Sequence, residues 1–220
     1  MTENRWVSAI HWRREGQQTR SERTQSALMD AAESLILEKG TDATTIADIA
    51  ARAGCSVGTV YHHFKDKKAL FFALFHRMTE AYQALNQAVA DPAQWQGATV
   101  ADLLHGYLEI SLNLSRQAAA KVAASAVVAD HPELAAHYAE IQASSRRIVL
   151  NLILDRRSEI ARADADAAAA FAIDQMAAML RARVDRSQRA VALQDVDEAA
   201  FIANVVHMVS GFLELKPAPK

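Results

Sequence analysis

The sequence is poor in residues that cross-link or interrupt a chain, with one cysteine, four prolines and seven glycines among 220 residues. The single cysteine, Cys55, excludes a framework of intrachain disulfides and suits a reducing compartment. No apolar run approaches the ~20 residues that a membrane-spanning helix needs, and the N-terminus lacks the apolar stretch of a secretory signal. We therefore expect a cytoplasmic protein with no membrane partner.

Runs of β-branched residues, which are typical of strands, are also missing. Alanine and leucine are abundant instead, and 51% of the residues are hydrophobic, which is enough to form a core. This composition predicts an all-α protein, and the spacing of the apolar residues divides it into about nine helices.

An excess of positive charge is a further feature that the sequence lacks, since its formal net charge is -2. Residues 1–68 contain ten Lys and Arg against nine Asp and Glu, and the remaining residues contain fourteen against seventeen. A nucleic-acid partner therefore requires a local cluster of cations rather than a basic domain.

Glycines and capping residues delimit four helices in the first third of the chain. Thr45, followed three residues later by Asp48, predicts a capping box at the start of the second helix. Gly54 is expected to end that helix in a left-handed turn. The other expected boundaries are Ser21 and Gly40 around the first helix, Ser56 before the third and Asp66 before a long fourth helix.

Five more helices are expected after a break at residues 91–99, where Pro92 and Gly97 interrupt the pattern. Their expected ranges are 100–114, 118–128, 132–160, 166–186 and 195–215.

Residues 46–64 have the spacing of a helix-turn-helix. Ala50 is small where the second helix of the pair crosses closely, Gly54 permits the turn, and Val60 is expected to point into the core. The pattern is of moderate specificity, because short helical pairs with a glycine also occur in proteins that do not bind DNA.

The outward side of the helix at 57–64 carries an unusual set of residues. A glycine within a helix costs roughly 1 kcal/mol relative to alanine, so Gly58 on an exposed face suggests close approach of another molecule. The residues expected on this face or at its edges are Ser56, Gly58, Thr59, Tyr61, His62 and His63. Lys65, Lys67 and Lys68 follow, and with the free N–H groups of the next helix they could bind a phosphate.

Two alternatives to DNA contact stay open for these residues. Tyrosine, histidine and lysine near helix ends are often ordinary solvated side chains. His62 and His63 also suggest a metal site, but they diverge by about 100° on a helix, and no carboxylate or cysteine is spaced to complete a tetrahedral site. We expect neither a metal nor another cofactor.

The stretch "TTIADIAARAGCSVGTVYHHFKDKKAL" at 44–70 closely resembles the signature of the TetR family of bacterial transcriptional regulators. The resemblance extends over about 23–75. It implies a helix-turn-helix DNA-binding domain at 21–68 and a helical effector-binding and dimerisation domain at 69–215. Outside these domains, 1–20 is expected to be either a mobile tail or a basic arm that enters a minor groove, and 216–220 a frayed tail.

The resemblance also implies roles for individual residues. Val57, Gly58 and either Tyr61 or His62 would approach base edges, and a valine at 57 favours contact with a thymine methyl. The residues that would contact the phosphate backbone are Thr45, Ser56, Tyr61, His62, His63 and Lys67. Together they imply a double-stranded DNA operator as partner and association with the nucleoid.

A homodimer is expected because one recognition helix contacts only a few base pairs. The residues expected in the dimer interface are Phe171, Met176, Met179, Phe201, Val205, Met208 and Phe212, and the alternative is that these helices pack only within one chain. The residues expected near an unknown small organic effector are His105, Tyr107, Leu108, Ser111, Tyr138, Gln142 and Ser145.

The function expected from these features is a repressor that binds a pseudo-palindromic operator and is released by its effector. Two alternatives remain: a DNA-organising or division-control protein with no effector, and an enzyme on a helical scaffold. Against an enzyme, we find no phosphate-binding glycine loop, nucleophile elbow, zinc-binding helix motif or convincing pair of carboxylates.

Overall fold

A computed structural model describes residues 19–115, 132–184 and 196–217, and within these ranges the chain is helical, with a single isolated β-bridge. The prediction of an all-α protein is confirmed. The helices in the described ranges are α1 (Arg20–Ala43), α2 (Ile46–Arg52), α3 (Val57–His63), α4 (Lys67–Val89), α5 (Val100–Ser115), α6 (Pro132–Leu154), α7 (Ala165–Val184) and α8 (Glu198–Leu213). The helix expected at 118–128 and the arm expected at 1–20 lie outside the described residues, apart from positions 19 and 20.

The described residues fall into two compact units. The first unit comprises residues 19–84 and 132–141, and the second comprises 85–115, 142–184 and 196–217. None of the described helices combines the length and apolarity required to cross a bilayer.

The first unit is built around one apolar core, to which α1, α2, α3 and α4 all contribute. Leu28, Ile49, Val60 and Leu70, one from each helix, are completely buried. Burial of such side chains contributes about 1.5–3 kcal/mol each, which holds together helices too short to be stable alone.

The helix starts predicted at Thr45, Ser56 and Asp66 are confirmed by hydrogen bonds, whereas α1 begins after Thr19 rather than at Ser21. Thr45 and Asp48 form the expected capping box, and the Ser56 hydroxyl accepts a hydrogen bond from the Thr59 amide at 3.1 Å. Gly40 has φ +82°, which interrupts α1 three residues before its end.

In the second unit α5, α7 and α8 pack against one another. The loop after α4 is fixed by Trp95, whose indole N–H donates to the Val89 carbonyl at 2.9 Å. The Arg156 guanidinium in turn donates to the carbonyls of Trp95 and Ala98, at 2.7 and 2.6 Å.

The expected range 132–160 is wrong at its C-terminal end, because α6 stops at Leu154. Arg156 donates back to the Leu152 carbonyl at 2.8 Å, and a 3-10 turn follows at Arg157–Glu159. Ile160 then pairs with Leu215 in the antiparallel bridge. Since that partner lies far away in sequence, no local pattern could have shown where the helix ends.

Candidate nucleic-acid interface

The turn between α2 and α3 has the geometry of a helix-turn-helix. Gly54 adopts φ +66°, and the Cys55 amide donates to the Ala50 carbonyl at 2.9 Å. Ala50 and Val60 are both buried, as the spacing predicted. The left-handed glycine reverses the chain, so that Val60 anchors α3 while the opposite side of this helix stays at the surface.

The outer side of α3 is accessible. Val57 is 42% exposed and Tyr61 is 55% exposed, and both Gly58 and His62 are exposed as well. A Cβ atom placed on Gly58 would meet only the Ser56 Oγ, at an ordinary distance of 3.6 Å. The fold of the chain itself therefore does not require a glycine at position 58.

The hydroxyl groups at the start of α3 are paired with each other. Ser56 Oγ and Thr59 Oγ1 lie 2.9 Å apart, while Ser56 Oγ also accepts the Thr59 amide hydrogen. One hydroxyl donates to the other in this pair, which leaves one hydroxyl hydrogen for an incoming phosphate oxygen.

Thr45, at the start of α2, makes hydrogen bonds within the chain through both its hydroxyl and its amide. Its hydroxyl and its amide both donate to Asp48 Oδ2, at 2.6 and 3.0 Å. Lys39 Nζ donates to the same oxygen at 2.7 Å. The hydrogen bonds from Lys39 and then from Thr45 hold the pKa of Asp48 well below its usual range. A phosphate contact by the Thr45 hydroxyl would therefore have to replace its bond to Asp48.

At the start of α4, where a phosphate site is expected, one of the amides already has a partner. The amide of Ala69 is not free, because it donates to Asp66 Oδ1 at 2.7 Å. Lys67 Nζ donates to the Asp42 carbonyl at 3.4 Å and lies 5.6 Å from the centroid of the Phe71 ring. Lys65 and Lys68 are exposed, so cations remain at this end although the helix terminus is capped.

Besides the Lys39–Asp48 pair, two groups of ion pairs hold α1 against its neighbours, and the sequence pattern indicated neither. The Arg52 guanidinium donates to both oxygens of Glu38 at 2.8 Å and to Ser34 Oγ at 2.7 Å. The bonds from Arg52 and Ser34 lower the pKa of Glu38 to about 2. Arg77 of α4 pairs with Asp30 and Glu33 at 2.7 Å each.

His62 and His63 pack edge to face, with ring centroids 5.2 Å apart. In the ranges that the structure describes, no group of three His, Cys, Asp or Glu side chains is placed to bind a metal ion. The ring pair therefore forms part of the protein surface at the end of α3.

The residues expected near an effector are divided between the two units. In the first unit, Tyr138 lies edge-on to Tyr82 and to Phe75, with centroid distances of 6.1 and 6.5 Å. A hydrogen bond joins the two tyrosines, and burial raises the pKa of Tyr82.

The other expected effector residues lie in the second unit. Leu108 is fully buried, and Tyr107 is hydrogen-bonded to Ser111, with burial raising the pKa of Tyr107. His105 Nδ1 lies 3.6 Å from Glu109 Oε2. Ser145 donates to Asn86 Oδ1 at 2.7 Å, whereas Gln142 is exposed.

The residues expected in a dimer interface have unequal exposure. Phe171 and Met208 are each 53% exposed, and the Phe171 ring lies 5.5 Å from that of Phe212, which is half-buried. Met179 is half-buried too, but the remaining three, Met176, Phe201 and Val205, are buried inside their own chain. Only the exposed side chains are available to a second subunit.

An exposed helix-turn-helix at the start of an all-α chain defines a class of DNA-binding proteins, and comparison with known proteins identifies the family. Residues 28–74 match the model for bacterial regulatory proteins of the tetR family. The transcriptional regulator BetI of Klebsiella pneumoniae (strain 342) is 34% identical over 143 residues, which are 64% of this chain and 72% of that protein. BetI of Escherichia coli (strain K12 / DH10B) is 33% identical over the same shares.

A solved structure agrees at the level of the fold. A bacterial regulatory protein in the tetR family from Rhodococcus RHA1 has a TM-score of 0.63 and 19% identity, over 91% of this chain and 100% of that one. The chain belongs to the TetR family of transcriptional regulators. Regulators of this family bind DNA operators and act as dimers.

Proposed function

We propose that the protein is a dimeric repressor that binds a pseudo-palindromic operator and is released by a small organic effector. The observation that supports this most directly is the exposed side of α3, where Val57, Gly58 and Tyr61 face solvent while Val60 fixes the helix to the core. An α-helix presented in this way fits the major groove of DNA.

The roles of the polar residues follow from their exposure and, for Thr45, from its hydrogen bond within the chain. Ser56, Tyr61 and His62 are exposed and donate to phosphate oxygens, which sets the orientation of α3 in the groove. Lys65 and Lys68 add positive charge, which attracts the DNA backbone whatever its base sequence. Thr45 contributes indirectly, since its hydroxyl is bound to Asp48 and holds the start of α2 in place.

Two copies of α3 lie roughly 34–36 Å apart when they occupy successive major grooves of a pseudo-palindrome. Phe171 and Met208 supply the apolar contact between subunits, because large exposed apolar side chains on α7 and α8 lose water when a second chain covers them. The buried Met176, Phe201 and Val205 support these helices from inside.

Release is assigned to movement of α4, which bears Arg77. Because the Arg77 guanidinium pairs with both Asp30 and Glu33 of α1, a shift of α4 changes the position of α1 and with it that of α2 and α3. A coupling free energy of about 1–3 kcal/mol shifts operator affinity by roughly 5–150-fold.

The test begins with selection of binding sites from random DNA and from DNA flanking the gene, followed by anisotropy titrations at several salt concentrations. We expect selective binding of a pseudo-palindrome by a dimer, with affinity falling as salt rises. Binding without sequence preference, or by a monomer at all concentrations in sedimentation, would contradict the proposal.

A matched pair of variants separates the two surfaces. Tyr61 and Phe171 are aromatic residues of nearly equal exposure, 55% and 53%, on α3 and α7. Tyr61→Ala should weaken operator binding and leave the dimer intact, whereas Phe171→Asp should weaken the dimer and, through it, the binding of full operators. Equal effects of both variants on dimerisation would contradict the assignment of α3 to DNA.

Effector control requires a separate screen. Small organic compounds are first ranked by the rise in thermal stability that they cause, since any ligand bound only to the folded state raises it. Compounds that stabilise the protein are then added to the operator complex, and DNA release is measured by anisotropy. If every stabilising compound leaves the complex intact, the effector part of the proposal fails while the DNA-binding part remains.

A further inference from the structure

The first turn of α3 exposes an apolar side chain at the protein surface, where hydrogen-bonding side chains are more common. Val57 is the first residue of the helix and is 42% exposed. Gly58 beside it is exposed and has no side chain, and the Thr59 hydroxyl is bound to Ser56. In this turn Val57 therefore presents its methyl groups to solvent, next to a residue without a side chain.

Neither Val57 nor Gly58 is explained by the stability of its own helix. Valine and glycine are both poorer helix formers than alanine, by up to about 1 kcal/mol for glycine. Buried packing could offset that cost, but Val57 is exposed, and the space around Gly58 would accept a Cβ atom. A contact outside the chain is the remaining physical reason for this pair.

The chemistry of the major groove limits what Val57 can contact. The N-terminal residues of a recognition helix lie next to base edges, and a valine side chain offers only methyl groups. Every base edge in the groove presents hydrogen-bonding atoms, and the thymine 5-methyl group is the apolar group among them. Burying a valine against any other edge would desolvate polar atoms without replacing their hydrogen bonds.

We infer that Val57 determines part of the operator sequence by packing against the 5-methyl group of one thymine in each half-site. Gly58 allows the start of α3 to come close enough for this contact, and Tyr61, one turn further along the same side, borders it. This inference rests on the proposed operator binding, and it specifies which base is preferred at the operator position that Val57 contacts.

The test uses the operator obtained by selection and replaces its thymines one at a time with deoxyuridine, which removes the methyl group and keeps the base pair. We expect one thymine per half-site to be sensitive, with a loss of affinity of roughly fourfold, as for one buried methyl-sized group. Replacement in both half-sites should cost roughly fifteenfold, and deoxyuridine elsewhere should have little effect.

Val57→Ala supplies the second half of a double-mutant cycle. Because Val57 is exposed, the variant should fold, which an unfolding curve checks directly. The Val57→Ala protein should no longer prefer thymine at the sensitive position. Operators with thymine and with deoxyuridine there should bind within about twofold of each other.

The outcomes separate this inference from the proposed function. Selective operator binding that tolerates deoxyuridine at every position would overturn the thymine contact alone. Equal deoxyuridine losses in wild type and Val57→Ala would assign the methyl contact to another residue and would also overturn it. Failure to bind any DNA selectively would overturn the proposed function and this inference together.

Discussion

The two short helices of the helix-turn-helix, α2 and α3, have the same length but differ in how firmly they are bonded to the rest of the chain. Each has seven residues and begins after a hydroxyl residue that caps it. At α2 the cap is a complete capping box, and Asp48 within it also accepts a bond from Lys39 of α1. At α3 a serine caps the helix alone, and none of the ion pairs found among the described residues involves this helix.

The same contrast appears in their side chains. α2 buries Ile49 and Ala50 and carries Arg52, which is bound to Glu38 and Ser34. α3 buries Val60 and leaves Val57, Gly58 and Tyr61 at the surface. The stabilising interactions are thus concentrated in the helix that positions the motif, and the helix assigned to DNA contact keeps its surface for a partner.

The largest expected effect comes from the core of α2. Ile49→Ala removes a fully buried side chain and should lower the free energy of unfolding of the first unit by about 2–5 kcal/mol. Val57→Ala, the matched control on the exposed side of α3, should change it by less than about 0.5 kcal/mol. Urea unfolding followed by circular dichroism measures both, and similar losses would contradict the contrast between the helices.

The capping residues give the next largest effect. Loss of a helix N-cap costs about 0.5–2 kcal/mol. Thr45→Ala should lie at the upper end, because the Thr45 hydroxyl both accepts from the Asp48 amide and donates to the Asp48 carboxylate. Ser56→Ala should lose stability at the lower end of this range, but it should weaken operator binding more than Thr45→Ala does. The reverse order in anisotropy and urea titrations would show that Thr45 is the principal phosphate contact.

Gly58→Ala should raise the stability of the protein and weaken its binding to the operator. Its Cβ has room in the chain, so the free energy of unfolding should rise by about 0.5–1 kcal/mol as helix propensity improves. Operator affinity should fall by roughly tenfold, the size of one mismatched base pair, because the added methyl holds α3 away from the groove.

The matched control for Gly58→Ala is Gly211→Ala on α8, where there is likewise room for a Cβ atom. It should gain similar stability without loss of operator affinity, once sedimentation shows that the dimer is unchanged. Unaltered operator binding by Gly58→Ala would mean that α3 does not approach DNA closely at this point.

Features of this motif that depend on neighbouring residues could be predicted from the sequence. Thr45 with Asp48, Ser56 with Thr59, and the turn at Gly54 act over a few residues, so their spacing alone predicted the helix starts and the turn. The exposed side of α3 followed because Val60 fixes which side of a short helix is buried.

Features that depend on packing between distant segments could not be predicted. The Glu38–Arg52 pair joins residues 14 positions apart, and it exists because of the angle at which α2 crosses α1. In the alanine-rich α7, apolar residues surround the whole helix, so the sequence could not show that Met176 is buried and Phe171 exposed. The end of α6 at Leu154 depends on Arg156 and on a segment beyond α8.

The smallest expected effect tests the Glu38–Arg52 pair, one of the two ion pairs that connect α2 to α1. The bonds from Arg52 and Ser34 hold the pKa of Glu38 at about 2 in the folded protein, below its ordinary value of 4.5. A carboxyl group with a lowered pKa stabilises the folded state above its unfolded pKa, and this contribution is lost as pH falls from about 4.5 to about 2. Because both side chains are largely exposed, solvent and salt screen the pair and keep the contribution small.

Glu38→Gln should therefore be slightly less stable than wild type near pH 6, and the difference should shrink steadily as pH falls through this window. The exposed Glu140 of α6 provides a matched control, because Glu140→Gln removes the same charge from the same unit without touching Arg52. Urea unfolding midpoints of the three proteins between pH 6 and about pH 2.5 measure the effect. A difference for Glu38→Gln that stays constant with pH would mean that the hydrogen bonds, and not the charge, connect α1 to α2.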